Sequence, residues 1–353
     1  MNAPFDHVVD RVRLADLSDL RETAAIEAFV AAQPEATVFH QPAWLAAVEA
    51  GTGQSACGLV TERANAITGW LPLTELHSPI FGRALVSSGF AVGGGVLADS
   101  EANASQLASV AEELAGRRSC ATVELRGGAL PWHWTVRRDS HCGFVMPLSG
   151  DDDAQLLAIP RKQRAEVRKG LQADYTVSVG KTEADRKAHY AVYAESVRNL
   201  GTPVFPRLLF DAVLDRLDAD ILTIRHQEQP VASVLSLYHD GAVLPYWGGG
   251  VFAARALRAN DVMYYELMRH ARLRGCTLFD FGRSKTGSGA YHFKRNWGFE
   301  PQPLSYASWT APGYEARDAD PTSQKHAARI AAWKRLPLPV ANRLGPWIAK
   351  GLG

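Results

Sequence analysis

The residues best suited to chemistry lie in one run, from Phe279-Asp280-Phe281-Gly282-Arg283-Ser284-Lys285-Thr286-Gly287 to Ser288-Gly289-Ala290-Tyr291-His292-Phe293-Lys294-Arg295-Asn296-Trp297-Gly298-Phe299. An apolar strand runs into a glycine-rich cationic turn, and a short aromatic segment follows. Glycines beside Arg283, Lys285 and Lys294 let backbone and cations come close to an anionic or acyl-bearing ligand. Interleaved rings would wall such a site against water. Lys294 is a candidate to offset developing negative charge. Tyr291 is a candidate to protonate a leaving group, or a packed aromatic. Asp280, ending the strand, is a candidate base or substrate anchor, or the partner of Arg283 in an ion pair.

A second basic group stands apart. Arg161, Lys162, Arg164, Arg168 and Lys169 form the densest cationic cluster, and Arg161, Arg164 and Arg168 share one face if the segment is helical. Such a face can grip the phosphates of a nucleotide sugar, a lipid pyrophosphate or tRNA, or it is simply a solvated surface. It lies at the junction of the two halves of the chain, where a cleft is expected.

These groups need a frame, and the chain repeats one. Gly93-Gly94-Gly95 precedes a helical run ending at Arg118-Ser119-Cys120, then Thr122-Val123-Glu124-Leu125. Gly248-Gly249-Gly250 precedes another ending at Arg274-Gly275-Cys276, then Leu278-Phe279-Asp280. Upstream of each lies a strand pair, Cys57–Thr61 with Thr68–Leu76 and Ile221–His226 with Val231–Tyr238. Order and spacing together predict two copies of one α/β unit. Helices are expected over Leu20–Ala32, from Pro42, over Ser100–Gly116, Ala154–Ile159, Pro160–Leu171, Glu183–Leu200, Pro206–Leu217 and Val262–Arg274, the last capped by Asn260 or Asp261. Asp240-Gly241 marks a hairpin. Pro79–Phe90 reads as a glycine-rich loop with short extended pieces, and Gly143–Leu148 as one strand. Ser149-Gly150-Asp151-Asp152-Asp153 is the best linker, which divides the chain into 1–150, 151–310 and a tail, 311–353.

Composition narrows the classes. There are 38 basic and 37 acidic residues, so a protein that mainly coats nucleic acid is disfavoured. The four cysteines, Cys57, Cys120, Cys142 and Cys276, form no CxxC pair and fit reduced thiols in a cytoplasmic protein. No metal cluster, HExxH, Walker loop, GxSxG elbow or complete dinucleotide fingerprint is present. Asp6, Asp10, Arg11 and Arg13, without an apolar run, predict no signal peptide, and no stretch reaches the length of a spanning helix. From Lys325 onward there is no acidic residue. Lys325, Arg329, Lys334, Arg335, Arg343 and Lys350 mix there with Trp333, Leu336, Leu338, Trp347 and Ile348. That tail either folds back over the domains or touches an anionic membrane or a partner. Pro337, Pro339 and Pro346 are expected to prevent one long helix.

Four segments resemble the FemAB-like branch of the GNAT acyltransferase superfamily, most closely the group associated with exopolysaccharide and exosortase loci. They are His40-Gln41-Pro42-Ala43-Trp44; Ser78-Pro79-Ile80-Phe81-Gly82-Arg83-Ala84-Leu85-Val86-Ser87; Ile159-Pro160-Arg161-Lys162-Gln163-Arg164-Ala165-Glu166-Val167-Arg168-Lys169; and Tyr246-Trp247-Gly248-Gly249-Gly250 with Asn260-Asp261-Val262-Met263-Tyr264-Tyr265-Glu266 and the opening segment. The resemblance covers most of 37–304. It implies two tandem GNAT-like α/β (α+β) domains, each a mixed, mostly antiparallel sheet flanked by helices. It also implies acyl or aminoacyl transfer with acyl-CoA or aminoacyl-tRNA as co-substrate and no tightly bound cofactor. The acceptor would be an amine or hydroxyl of a nucleotide- or lipid-linked saccharide precursor. On that reading Gly248, Gly249 and Gly250 form the approach loop to the donor. Asn260, Arg283, Lys285 and Phe293 also hold the donor; Phe293-Lys294 matches a donor-site pair of the peptidoglycan-branching members. Arg161, Lys162, Arg164 and Arg168 hold the acceptor. The alternative is a non-catalytic module of the same fold in an envelope assembly complex. A cytoplasmic location, with the tail at the inner membrane face, fits either reading.

Overall fold

The computed structural model of the chain describes residues 10–315 and 327–353, so Asp6 and Lys325 lie outside the described residues. Two compact units are present. The first holds the chain up to Arg137 and a returning piece from Ser305; the second runs from Arg138 to Leu304 and takes in the C-terminal helices.

In unit one, β1 (Arg11–Leu14), β2 (Ser55–Arg63), β3 (Ala66–Ser78), β4 (Gly82–Ser87), β6 (Thr122–Arg126), β17 (Tyr306–Thr310) and β7 (Thr135–Arg137) lie side by side in that order, with β5 (Leu97–Ala98) on β3. The predicted strand pair is β2–β3, antiparallel. β4 then runs parallel to β6 through Ala84–Thr122, Leu85–Val123 and Val86–Glu124. Helix α1 (Leu20–Ala31) is capped by Asp19, and α2 (Pro42–Thr52) starts on Pro42 and stops at Gly53 in the left-handed region. α3 (Glu101–Arg117), capped by Ser100, buries Leu107, Ala108 and Ala111 against Leu71, Leu85 and Val123. Each fully buried leucine contributes roughly 1.5–3 kcal/mol.

Unit two repeats the plan. Its main sheet runs β10 (Tyr175–Gly180), β11 (Ala219–His226), β12 (Gln229–His239), β13 (Ala242–Gly250), β14 (Leu278–Asp280), β9 (Val145–Pro147). β11–β12 is the second predicted pair. Asp240 and Gly241, at φ 45° and 70°, make the two-residue turn into β13. α9 (Ala259–Leu273) then crosses back to β14, which lies parallel to β13. The repeat extends to the helix ends. Cys120 N–H donates to Ala115 O at 2.8 Å after α3, and Cys276 N–H to Ala271 O at 2.9 Å after α9. A small sheet of β15 (Ser284–Lys285), β8 (His141–Gly143) and β16 (Gln302–Pro303) stands beside it. The remaining helices are α4 (Asp152–Ala158), α5 (Arg161–Gly170), α6 (Glu183–Leu200), α7 (Arg207–Arg216), α8 (Ala254–Leu257), α10 (Gly289–Asn296), α11 (Ala327–Arg335) and α12 (Leu338–Ala349). No helix among the described residues is long and apolar enough to cross a membrane.

Several expectations differ from this frame. The segment read as a loop, Pro79–Phe90, contains β4, a central strand whose Ala84–Ser87 are buried. A strand buried on both faces shows no alternation, so its pattern resembles an apolar loop. Gly143–Leu148 is not one strand: β8 and β9 join different sheets around the buried Phe144. The division placed at 150 falls at 137, because β9 pairs with β14, and β17 returns to pair with β6. Asp151, in the linker candidate, caps α4, and Asp152 is paired with Arg269 and Arg272 of α9. Pro337 separates α11 from α12 as expected, but Pro346 sits inside α12.

Candidate active site

The site starts from a break in pairing. β13 meets β14 only at Ala242–Leu278 and Val243–Phe279. β13 continues to Gly250, so beyond Val243 its β14-side edge has no strand partner among the described residues. On its other edge Pro245 faces Ser236 and Trp247 faces Leu235, which leaves Tyr246 as an extra residue. Such a bulge increases local twist and turns the strand away from its neighbour. The result is a wedge between two parallel strands that pair at one end and diverge beyond it. Asp280 ends the β14 arm.

Gly248–Gly250 are therefore strand, paired with Val234, Ser233 and Ala232, and not an approach loop. They are glycines because both faces are crowded. A Cβ on Gly249 would lie 2.3 Å from Ser196 Oγ of α6. One on Gly250 would lie 2.5 Å from Asn260 Oδ1, and one on Gly248 3.2 Å from the Tyr264 hydroxyl.

Lys294 is the buried cation of the site, 8 % exposed. Ser288 caps α10 and Gly298, at φ 91°, follows its end, so the short helix directs Lys294 inward. Its Nζ donates to Gly282 O at 3.1 Å and to Arg283 O at 2.9 Å. An ammonium has three N–H donors, which leaves one for a ligand. The Nζ also lies 5.3 Å from the ring centroids of both Phe144 and Phe281. Burial pushes the Lys294 amine down to about 7; Asp280 opposes this shift and Arg283 adds to it. Asp280 accepts from Gly282 N–H at 2.9 Å. Burial raises its carboxyl above the ordinary carboxylate value, against the Gly282 hydrogen bond and the Lys294 charge. An acid and a cation whose affinities both move toward neutrality are the pattern of proton-transfer sites.

Aromatic rings enclose the pair. Tyr291 meets Phe144 edge-on at 5.6 Å. Phe293 packs 5.7 Å from Tyr264 and 6.1 Å from Phe281, and Tyr264 lies 4.6 Å from Phe281. Arg283 and Lys285 flank the turn, with Lys285 in β15.

At the start of α9, the cap is Arg258, in the left-handed region at φ 60°, and not Asn260 or Asp261, which lie in the first turn. Asn260 Oδ1 is buried and has no hydrogen-bond partner among the described residues. Asp261 accepts from Gln163 Nε2 of α5 at 2.6 Å, and burial raises its carboxyl. It is held by the protein and faces its own partner, which lessens its competition with a bound anion.

α5 carries the basic cluster. Glu166, its acidic residue, is paired with Arg258, while Gln163 and Val167 are buried. Arg161, Arg164, Arg168 and Lys169 line a groove of about 410 Å³, and no carboxylate pairs with them or with Lys162 among the described residues. Arg164 also donates to Leu157 O at 3.2 Å.

The structure thus gathers Asp280, Tyr291, Phe293 and Lys294 around one turn, with Arg283 and Lys285 on it. The glycine triplet lies on the β13 arm and Asn260 beside it, while the α5 cations form a separate groove. Phe144, Tyr264, Phe281 and the Tyr246 bulge were missed as site residues. Phe144 carries no local signal, since it reaches Lys294 only through the pairing of β9 with β14.

Among the described residues of unit one the corresponding strands do not diverge in this way. Its β4 stops at Ser87, and the chain crosses the end of β6, where Val96 bridges Gly128 in parallel. The buried Arg126 donates to Ala91 O at 2.8 Å and ties that crossing down.

Residues 161–295 match the family model described as the acetyltransferase (GNAT) domain. This span includes α5, the wedge and Lys294. Among solved structures of similar fold is FemX, with 15 % identity, a TM-score of 0.62, and coverage of 82 % of this chain and 96 % of that one. A tandem GNAT protein from the clavulanic acid biosynthesis pathway gives 12 %, 0.57, 86 % and 100 %. The C-terminal domain of a putative lysylphosphatidylglycerol synthetase from Agrobacterium fabrum gives 13 %, 0.56, 84 % and 93 %. No curated protein matches the sequence. The fold is that of two tandem GNAT-like domains, the second of which holds the span matched by the acetyltransferase (GNAT) model. Within it the chain resembles the FemAB-like branch, as its sequence motifs imply.

Proposed function

We propose that the chain moves an acyl or aminoacyl group from a CoA or tRNA carrier to an amine or hydroxyl of a phosphate-bearing cell-envelope or exopolysaccharide precursor. The observation that carries this reading is the divergence of β13 from β14 after two paired residues, with Lys294 and Asp280 at the end of β14.

The donor's acyl arm lies beside β13 where that strand diverges from β14. Asn260, Arg283, Lys285 and Phe293 line its path. Asp280 takes the proton of the acceptor as its nitrogen or oxygen attacks the acyl carbon. The Lys294 ammonium offsets charge on the tetrahedral oxyanion or the donor phosphates. Breaking the carbon–sulfur or carbon–oxygen bond releases a thiolate or alkoxide, and Tyr291 supplies its proton. The reaction belongs in the cytoplasm, where both carriers are charged. The groove of Arg161, Arg164 and Arg168, with Lys162 beside it, holds the acceptor's phosphates.

Two results are expected. First, kcat/KM rises with pH as Asp280 ionises, then falls through about 7 as Lys294 loses its charge. For stability the sign is opposite at Lys294. Its folded affinity lies below the ordinary 10.5, so its burial penalty acts in full below about 7 and is relieved as pH rises toward 10.5. A rate that climbs through pH 7 and stays high would give Lys294 the role of a base instead. Second, Arg161→Glu combined with Arg168→Glu raises the acceptor KM about tenfold or more and leaves kcat near wild type. An unchanged acceptor KM would remove α5 from the site.

The donor is tested by native mass spectrometry with pooled acyl-CoAs, aminoacyl-tRNA and nucleotide sugars. A carrier retained by the wild type and lost by Lys294→Ala supports transfer at this site. Retention of a sugar nucleotide alone, unaffected by that change, speaks for a binding module.

A further inference from the structure

The C-terminal helix α12 has two unlike faces. Ala341, Gly345 and Ala349 are small and buried, and they set the helix close to unit two. A Cβ on Gly345 would lie 3.0 Å from the Val204 backbone nitrogen, so the approach tolerates little else. α11 is held as well: Arg198 donates to Lys334 O at 3.3 Å, and Gly201, ending α6, packs on Ile330 and Lys334. The orientation of α12 is thereby fixed.

The opposite face carries Val340, Leu344 and Trp347, spaced by four and three residues and thus on one stripe. They are 42, 44 and 53 % exposed. Arg343 lies exposed next to Trp347 on the same side, and Lys334 and Arg335 are exposed at the end of α11. A tryptophan and two aliphatic side chains held in water are costly without an occupant. Charge decides which occupant. From Lys325 to Gly353 there are six lysines and arginines and no acidic residue. A protein surface of mixed charge does not call for that asymmetry, whereas an anionic lipid leaflet does.

We propose that α11 and α12 form a peripheral docking face for anionic phospholipid bilayers, with Val340, Leu344 and Trp347 entering the headgroup–acyl boundary and Arg343, Lys334 and Arg335 meeting lipid phosphates. Pro337 and Pro346 do not oppose this, since the helix lies in the interface and spans nothing. Indole is suited to that depth, with an apolar body and a polar N–H.

The full-length protein is mixed with vesicles of phosphatidylglycerol and phosphatidylcholine, or of phosphatidylcholine alone, and sedimented. Binding to the anionic vesicles only, lost as salt rises, is expected. Arg343→Glu should weaken binding roughly fivefold or more. Leu344→Asp should abolish it with a melting temperature within a few degrees of wild type, because the side chain is 44 % exposed. Bromine-labelled phosphatidylglycerol should quench tryptophan emission in the wild type, and Trp347→Phe should bind but escape most of that quenching. Equal binding to neutral vesicles, or binding unaffected by Leu344→Asp, overturns the proposal. So does a dimer in light scattering that Leu344→Asp dissolves, which would make the stripe a contact between copies.

Discussion

Lys294→Met is expected to lower kcat for acyl transfer by roughly 10²–10³-fold, the loss seen when one preorganised oxyanion donor is removed. Methionine keeps much of the length and apolar stem of lysine, so the space beside Phe144 and Phe281 stays filled. What disappears is the charge and the two hydrogen bonds to Gly282 O and Arg283 O. The loss of the bonds costs stability, but the loss of a buried cation restores some, because a lysine depressed to about 7 carries a burial penalty at neutral pH. Melting temperatures of wild type and variant should therefore agree within a few degrees, and circular dichroism checks this. Steady-state kinetics then separates two roles. A fall in kcat with donor affinity kept means the ammonium acts on the transition state. A rise in donor Kd with kcat kept moves it to the donor phosphates. Activity within threefold of wild type on both measures would remove Lys294 from the chemistry.

Gly95→Ala is expected to destabilise unit one by roughly 3 kcal/mol, at the upper end of ordinary overpacking. The added methyl would lie 1.9 Å from the Gly127 carbonyl oxygen and 2.5 Å from its carbon. Both are backbone atoms, so no rotamer change can relieve the contact. The partner strand cannot move cheaply either, since Val96 bridges Gly128 and Arg126 holds Ala91 O. For a unit of this size the melting temperature should fall by about 6–12 °C. Calorimetry should show the loss in the transition of unit one. A wild-type melt would mean that the two backbones do not approach as closely as described.

That crossing also separates the two copies of the repeat. Each has an antiparallel pair, a helix, a buried cysteine and a parallel strand, yet among the described residues the second alone carries a wedge. In the first, Gly95 and Gly128 permit the chain to close over the end of β6. In the second, the register shift at Tyr246 adds twist to β13, and its pairing with β14 ends at Val243. Glycine triplets at matching positions thus do different work: Gly93–Gly95 belong to the closing segment, Gly248–Gly250 to the open strand. Spacing alone could not separate them, because glycine marks close approach of any kind.

The sequence by itself determined what short-range physics controls. Pro42 starts α2, Ser100 caps α3, Asp240-Gly241 turns β12 into β13, and Gly275 ends the α9 run. Each depends on residues within a few positions, so their types suffice. The repeat and the cluster of Asp280, Tyr291 and Lys294 were legible for the same reason, since one strand, one turn and one helix carry all three. The tertiary structure alone decided where pairing stops, and therefore where the wedge lies. It set Phe144 against Lys294, tied Asp261 to Gln163, made Arg258 the cap beside Glu166, and returned β17 to the first sheet. These are contacts between segments far apart in the chain. Their partners are selected by packing and by the closing of loops, neither of which leaves a local pattern. The charge state of Lys294 belongs with them, because it follows from burial, and burial is a property of the fold.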